Sequence, residues 1–417
     1  MKRFFIKAKS TFGNVFLRGS IVLFAGSMLT NVLAYAYHLS LGRIMGPEQY
    51  GELAALLSIF YIINSPSVVI QTILVKFFTV FYAKKQYGKS KQLFIHLVKL
   101  SVSVLVVGGL VLLPLSSFVS SFLKLQSPIS IVFLYCIFAV FFLTMITTSM
   151  LQAFQLFSSI AVVTNLGALL RLVAGVIAAP FGVLWVLVSN IFSNIAVFLF
   201  SCMPLKFVFY SNVQKVEISK KSALSYSVPT FFAIISISMM YSQDVVLVKH
   251  YFDSQAAGIY SALSVLGKVI FFASSSIGFV AFPVLAEKKE LQKSYAPIFF
   301  LSLLVVAGIS FGITALYFLF PELVVSLLFG HAFDQASSYL GIFGIFLLFF
   351  SLYYLLINMY LALGKTRVWI FACIAALLQI ALTVLFHGSL YQVIINNALV
   401  SGGLFAVLLL YYPYAKN

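Results

Sequence analysis

Residues 129–152 contain no charged side chain, and comparable apolar runs recur along the whole 417-residue chain with only short polar connections between them. A run of about 20 such residues is long enough to cross the hydrocarbon core of a bilayer as a helix. In lipid the backbone can satisfy its own hydrogen bonds only as a helix or a closed barrel. Burial in a water-soluble core is no alternative here. Hydrophobic residues make up 62% of the chain and charged residues 8%, against roughly 45–50% and about 25% in soluble domains. A soluble enzyme, a nucleic-acid binder and a disordered scaffold are excluded, and an all-α polytopic membrane protein is expected.

Twelve spans are predicted, at 18–41, 50–82, 93–115, 129–152, 159–180, 183–205, 223–248, 256–285, 295–319, 336–361, 368–387 and 390–412. The second is long, and Asn64-Ser65-Pro66-Ser67 in its middle predicts a kink, because Pro removes a helical hydrogen bond. Ala34-Tyr35-Ala36 imitates a leader-cleavage site, but the first run is read as retained, since its loss would break the repeat described below. Cys136, Cys202 and Cys373 lie far apart in apolar runs and carry neither a disulfide framework nor a zinc spacing. The histidines are equally scattered, so no metal or other cofactor is expected.

The formal charge of +17 reads as orientation and as attraction to anionic lipid. With both termini cytoplasmic, nineteen Lys and Arg residues fall inside, including those of 84–91, 206–221 and 288–293, and three fall outside: Arg43, Lys124 and Lys249. Four lie within spans: Lys76, Lys99, Arg171 and Lys268.

The halves echo each other. Gly51-Glu52-Leu53-Ala54-Ala55-Leu56 corresponds to Gly258-Ile259-Tyr260-Ser261-Ala262-Leu263, and Met150-Leu151-Gln152-Ala153 to Met359-Tyr360-Leu361-Ala362. Pro114 and Pro321, each expected to end a helix, and Gly182 and Gly388 fall in the same register. Six crossings per half give two lobes of like orientation, related by a pseudo-two-fold axis along the membrane normal. The expected organisation is an N-lobe at 1–205, a basic cytoplasmic linker at 206–222 and a C-lobe at 223–417, with a transport path between the lobes.

Leu41-Gly42-Arg43-Ile44-Met45-Gly46-Pro47-Glu48-Gln49-Tyr50-Gly51 resembles the first-loop signature of O-antigen-type polysaccharide flippases, within the multidrug/oligosaccharidyl-lipid/polysaccharide exporter superfamily. Three later stretches are similar to the same family: Asp244 through Ala262, Leu328-Phe329-Gly330, and Leu361-Ala362-Leu363-Gly364-Lys365-Thr366-Arg367. The resemblance covers essentially the whole chain. It implies transport of a polyprenyl-diphosphate-linked oligosaccharide to the outer leaflet of the cytoplasmic membrane, with no enzymatic step. Membrane lipid, a polysaccharide polymerase and glycosyltransferases are the implied partners. It also implies that helices one, two, seven and eight line the central cavity.

A lipid-linked glycan needs a wet, cationic path for its diphosphate. Charges at the bilayer centre are costly and usually face such a path or a partner. At 1.5 Å rise per residue, Lys268 is about 18 Å into its helix, and Arg171 is similarly deep; Lys99 is shallow enough to snorkel. Lys268 is the leading phosphate contact, with Ser261, Ser264 and Ser275 on its helix face; a Ser-rich packing face is the alternative. Lys76, Arg171, Arg43 and Lys249 complete the cationic set, with snorkelling the competing role for Lys76, a structural role for Arg171 and loop anchoring for Arg43 and Lys249. Asn31, His38, Asn64 and Gln71 are further polar lining candidates, with interhelical hydrogen bonding the competing role for the amides. Asp244, the acidic residue within the apolar run Met239–Tyr251, is expected either to pair with Lys268 or Lys249 or to couple transport to a cation.

A glycan polymerase or ligase would require a sizeable outer loop with paired catalytic groups, and none is present. A multidrug exporter of the same fold should show acidic cavity residues, whereas this chain offers mostly Lys and Arg. A lipid II flippase is the remaining alternative. Cysteine-accessibility labelling should find position 289 cytoplasmic and position 124 external; the opposite pattern would invert the topology.

Overall fold

The computed structural model describes residues 2–214, 221–292, 294–365 and 367–412. Side chains are described from Ala25 onward, except at 113, at 221–230 and at several positions between 276 and 290. Residues 215–220 of the expected linker and the side chain of Lys289 therefore lie outside the described residues. The helices, in chain order, are α1 (Lys2–Asn64), α2 (Ser67–Ala83), α3 (Tyr87–Phe122), α4 (Ile129–Ala153), α5 (Phe157–Ala178), α6 (Val183–Cys202) and a single-turn α7 (Lys206–Phe209). They continue with α8 (Lys221–Tyr251), α9 (Ser254–Glu290), α10 (Ala296–Leu319), a short α11 (Pro321–Leu328), α12 (Ser337–Ala362), α13 (Val368–Leu385) and α14 (Leu390–Leu410). The described residues contain no strand.

Ten of these helices are individually long and apolar enough to cross a membrane, and the bent pair Ala25–Asn64 with Ser67–Ala83 makes eleven. The expected twelve treats α1 as two crossings, and the chain does break there. Gly46 stands at φ 71°, ψ 176° inside α1. Only glycine adopts that conformation without strain, and Pro47 restarts a helix whose first N–H would be unpaired anyway. The second break falls at Ser65-Pro66, where α1 and α2 meet at 44°. There Ser65 donates both its N–H and its hydroxyl to the Ile62 carbonyl, at 3.3 and 2.9 Å. Proline thus bends the second span where the sequence predicts.

Hydroxyl groups inside the spans mostly return to their own helix. Ser101 donates to Leu97 O, Ser149 to Met145 O and Ser274 to Ile270 O, all at 2.7–2.8 Å. Such i−4 bonds satisfy a polar group without a solvent partner. Apolar side chains face outward instead. Leu110, Phe118, Leu304, Phe311, Leu385 and Leu410 are each at least 67% exposed, a surface that suits lipid and no aqueous solvent.

The corresponding stretches Met150–Ala153 and Met359–Ala362 end α4 and α12 in the same way. Gln155 and Gly364 take left-handed φ of 57° and 68°. The next N–H then closes onto a carbonyl five residues back, Leu156 N to Leu151 O and Lys365 N to Tyr360 O, both at 2.9 Å. This helix-stop geometry is a local repeat of structure beneath the repeat of sequence. The proline correspondence is different. Pro321 opens α11, but Pro114 lies inside α3, which continues to Phe122. A single lost N–H is tolerated there without ending the helix.

The helices pack as two compact units. One holds the described parts of Met1–Ile44, Ser67–Ser121 and Leu125–Lys220; α4 packs on α2 and α6, and α5 on α6. Its core includes Leu74, Phe78, Met150, Leu151, Phe154 and Leu205. The other holds Met45–Pro66, Phe122–Lys124 and the described parts of Lys221–Asn417. In it α12 is the central helix, packed on α9, α10 and α14, with α13 on α8.

Three motifs that are far apart in sequence meet within that second unit. Tyr50 is fully buried against Phe329 and Phe333, with ring centroids 5.7 and 6.2 Å away. Gly51 and Gly258, matched in the repeat, face each other: a Cβ on Gly51 would lie 2.7 Å from Gly258 N, and one on Gly258 would overlap the Pro47 carbonyl. Glycine lets two backbones approach this closely. Gly258→Ala should therefore destabilise the detergent-solubilised protein by about 1–3 kcal/mol, read as a lower melting temperature; an unchanged melting temperature would refute this close approach.

Candidate functional site

The site builds outward from Lys268 in the middle of α9. Its ammonium lies 4.1 Å from the ring centroid of Tyr241 on α8 and 5.9 Å from that of Tyr61 on α1. Both distances are in the range in which a ring face attracts a cation. Among the described residues Nζ has no hydrogen-bond acceptor and no carboxylate at ion-pair distance. An ammonium carries three donors, so all three remain open to a ligand or to water. The side chain is half-buried.

Asp244 is 1% exposed, one turn C-terminal to Tyr241 on α8. Among the described residues Asp244 makes no direct ion pair with Lys268 or Lys249, although Asp244 and Lys268 are near enough to attract each other electrostatically. Instead the Tyr260 hydroxyl donates to Asp244 Oδ2 at 2.8 Å, and Asn397 Nδ2 donates to the Tyr260 oxygen at 2.9 Å. Gln379 Nε2 donates to Asn397 Oδ1 at 3.0 Å. The chain of neutral donors links α8, α9, α13 and α14 around one carboxylate. Among the described residues Asp244 Oδ1, Gln243 Oε1 and Gln379 Oε1 are buried without a hydrogen-bond partner.

The expectation that Ser261 and Ser264 line a wet wall is corrected. They are 1% and 4% exposed, and Ser261 donates to Ala257 O at 2.7 Å. That stretch of α9 is packed against its neighbours, the Ser-rich packing face of the alternative reading. Ser275 is half-buried and donates to Phe272 O at 3.1 Å. Lys249 is 2% exposed and donates to Ser254 Oγ at 2.9 Å, which ties the α8–α9 turn together.

The first unit holds the other candidates. Arg171 lies over the Tyr37 ring, 4.4 Å from its centroid, and Asn190 Nδ2 donates to the Tyr37 hydroxyl at 2.9 Å. His38 packs edge-on against Tyr37. Gln71 reaches Gln152 at 3.5 Å, the interhelical bond expected as its alternative role. Asn31, Arg43 and Lys76 are exposed. Asn64, which ends α1 and belongs with the second unit, is half-buried and leaves its Oδ1 without a donor. Lys76 and Arg171 belong to the first unit and Lys268 to the second.

Sequence reasoning missed Tyr61, Tyr241 and Tyr260, and the amides Gln379 and Asn397. The amides carried a usable signal: each interrupts an otherwise apolar span, where an unpaired amide is costly.

Arranged this way, the described residues of the second unit bring together the open Lys268 ammonium and the partly unsatisfied Asp244 carboxylate, each held by neutral tyrosines. No curated protein sequence matches the chain. Solved structures share its fold. An inward-facing multidrug resistance MATE family transporter of the MOP superfamily superposes with TM-score 0.72 at 14% identity, over 95% of this chain and 98% of its own. The lipid II flippase MurJ, in an inward closed conformation, gives 0.70 at 15% identity over 94% and 87%. An outward-facing MATE family transporter gives 0.65 at 13% over 95% and 96%. The sequence profile of polysaccharide biosynthesis proteins matches residues 40–338, most of the chain. With that match, this all-α multi-pass membrane protein belongs to the polysaccharide biosynthesis protein family and has the fold of the MOP-superfamily transporters and flippases.

Proposed function

We infer that the protein is a flippase carrying a polyprenyl-diphosphate-linked oligosaccharide from the cytoplasmic to the outer leaflet of the cell membrane by alternating access, with both termini cytoplasmic. The reading rests on Lys268. An ammonium at membrane depth whose three donors have no hydrogen-bond acceptor and no carboxylate in direct contact among the described residues is suited to an anionic headgroup. A cationic drug would be repelled by it. The family match to polysaccharide biosynthesis proteins and the fold shared with a lipid II flippase support the same substrate class.

Asp244 supplies the coupling side of the proposal. Its Oδ1 lacks a donor among the described residues, and a proton or a monovalent cation satisfies such an oxygen. Cation entry from outside would then drive the return of the empty carrier.

Lys268→Ala removes a charge-assisted contact of about 1.5–3 kcal/mol, so glycan export should fall about 10- to 100-fold with the protein still inserted; Lys268→Arg should retain most export. Undiminished export by Lys268→Ala would remove the phosphate contact. Asp244→Asn should leave ligand binding in detergent measurable while export ceases to respond to an imposed cation or proton gradient; a gradient response equal to that of the parent protein would exclude coupling at this carboxylate.

A further inference from the structure

The rings around Lys268 form a larger arrangement than one cation requires. Tyr241 lies against Phe271 of α9, with centroids 5.7 Å apart at 60°. Phe271 meets Tyr354 of α12 edge-on, at 4.9 Å and 84°. Tyr61, Tyr241, Phe271 and Tyr354 are all half-buried rather than sealed in the core. The hydroxyls of Tyr61 and Tyr241 have no hydrogen-bond partner among the described residues. Purely structural aromatic packing would bury these rings, and a buried Tyr O–H usually finds a partner. The buried Phe350 backs Tyr241, Phe271 and Tyr354, at 5.6, 5.3 and 6.3 Å, and on the half-buried side of these rings the unpartnered phenols of Tyr61 and Tyr241 occur together with the Lys268 ammonium.

We propose that Tyr241, Phe271 and Tyr354 form a stacking platform for the sugar ring attached directly to the diphosphate. The proposal rests on the reading of Lys268 as the phosphate contact and adds what recognises the glycan. A pyranose presents a C–H-rich face that lies on an aromatic ring, and its rim of hydroxyls matches the phenols of Tyr61 and Tyr241. A polyprenyl tail would need neither phenols nor an ammonium. A bare diphosphate would make no use of ring faces. The sugar's anomeric carbon is one ester bond from the phosphate, so a diphosphate held at Nζ sets that first sugar beside the same rings.

The lysine also controls the platform. Without ligand its ammonium covers the Tyr241 face. Phosphate, a stronger partner for the cation than a ring, draws Nζ away and frees that face. Phosphate and first sugar are then recognised together, and an unglycosylated lipid leaves the platform empty.

The test compares two probes on the purified full-length protein in nanodiscs: a short-chain polyprenyl diphosphate, and the same lipid bearing one N-acetylhexosamine. The parent protein should bind the glycosylated probe at least about tenfold more tightly. In Phe271→Leu and Tyr241→Leu that affinity ratio should collapse to about one, and Tyr241→Phe, which keeps the ring, should restore most of it. A ratio that persists in both leucine variants, or that is already one in the parent, overturns the platform while leaving the phosphate contact standing if Lys268→Ala weakens both probes. Failure of the parent to bind either probe overturns the Lys268 reading and the platform with it. A variant that merely packs badly weakens both probes equally and keeps the ratio, which counts against the platform.

Discussion

Hydrocarbon offers nothing for a peptide N–H or C=O to bond to, and every feature of this molecule is arranged around that fact. Helices satisfy the backbone over the apolar runs, and many serine and threonine hydroxyls fold back onto carbonyls three or four residues earlier. The irregular points are correspondingly few and locally repaired. At Gly46 the chain turns through a conformation open to glycine, and Pro47 begins again without an N–H to satisfy. At Ser65-Pro66 the serine supplies two donors to one carbonyl beside the missing proline N–H. These two breaks bound residues 47–64, the stretch that packs with the C-terminal helices. Close backbone contact at Gly51 and Gly258, and the burial of Tyr50 against Phe329 and Phe333, hold it there.

The spans were legible because an apolar run of membrane length has one inexpensive solution in lipid. The diffuse motifs were legible as fold markers for a reason the packing makes plain: Tyr50-Gly51, Gly258 and Phe329 touch one another or their near neighbours, so their identities are dictated by the space between backbones. Function was harder to read. The Ser261, Ser264, Lys268 spacing does put those residues along one helix, but periodicity carries no information about whether a face meets protein or water. Burial divides that stripe, with the two serines packed and the lysine only half-covered. The tyrosines that hold Lys268 come from α1 and α8, and no local pattern links Tyr61 or Tyr241 to a lysine on another helix. Pro114 was misread because proline ends helices in water more reliably than in lipid, where leaving the helix exposes several backbone groups instead of one.

The placement of Asp244 and Lys268 carries the most functional weight. Lys268 and Asp244 belong to the same unit and could, in principle, neutralise each other. A direct pair would be self-sufficient, with both charges satisfied and little left to attract a ligand. Each is held instead by a neutral group: the lysine by two ring faces, the carboxylate by a phenol that is itself held by Asn397. A ring face restrains an ammonium without using its N–H donors, and a single phenol occupies one carboxylate oxygen of two. Separate, incomplete satisfaction leaves one group seeking an anion and the other a cation. On the proposed reading, two ligands of opposite charge would bind within one unit, as a carrier needs if an inward cation is to reset an outward-moving phosphate.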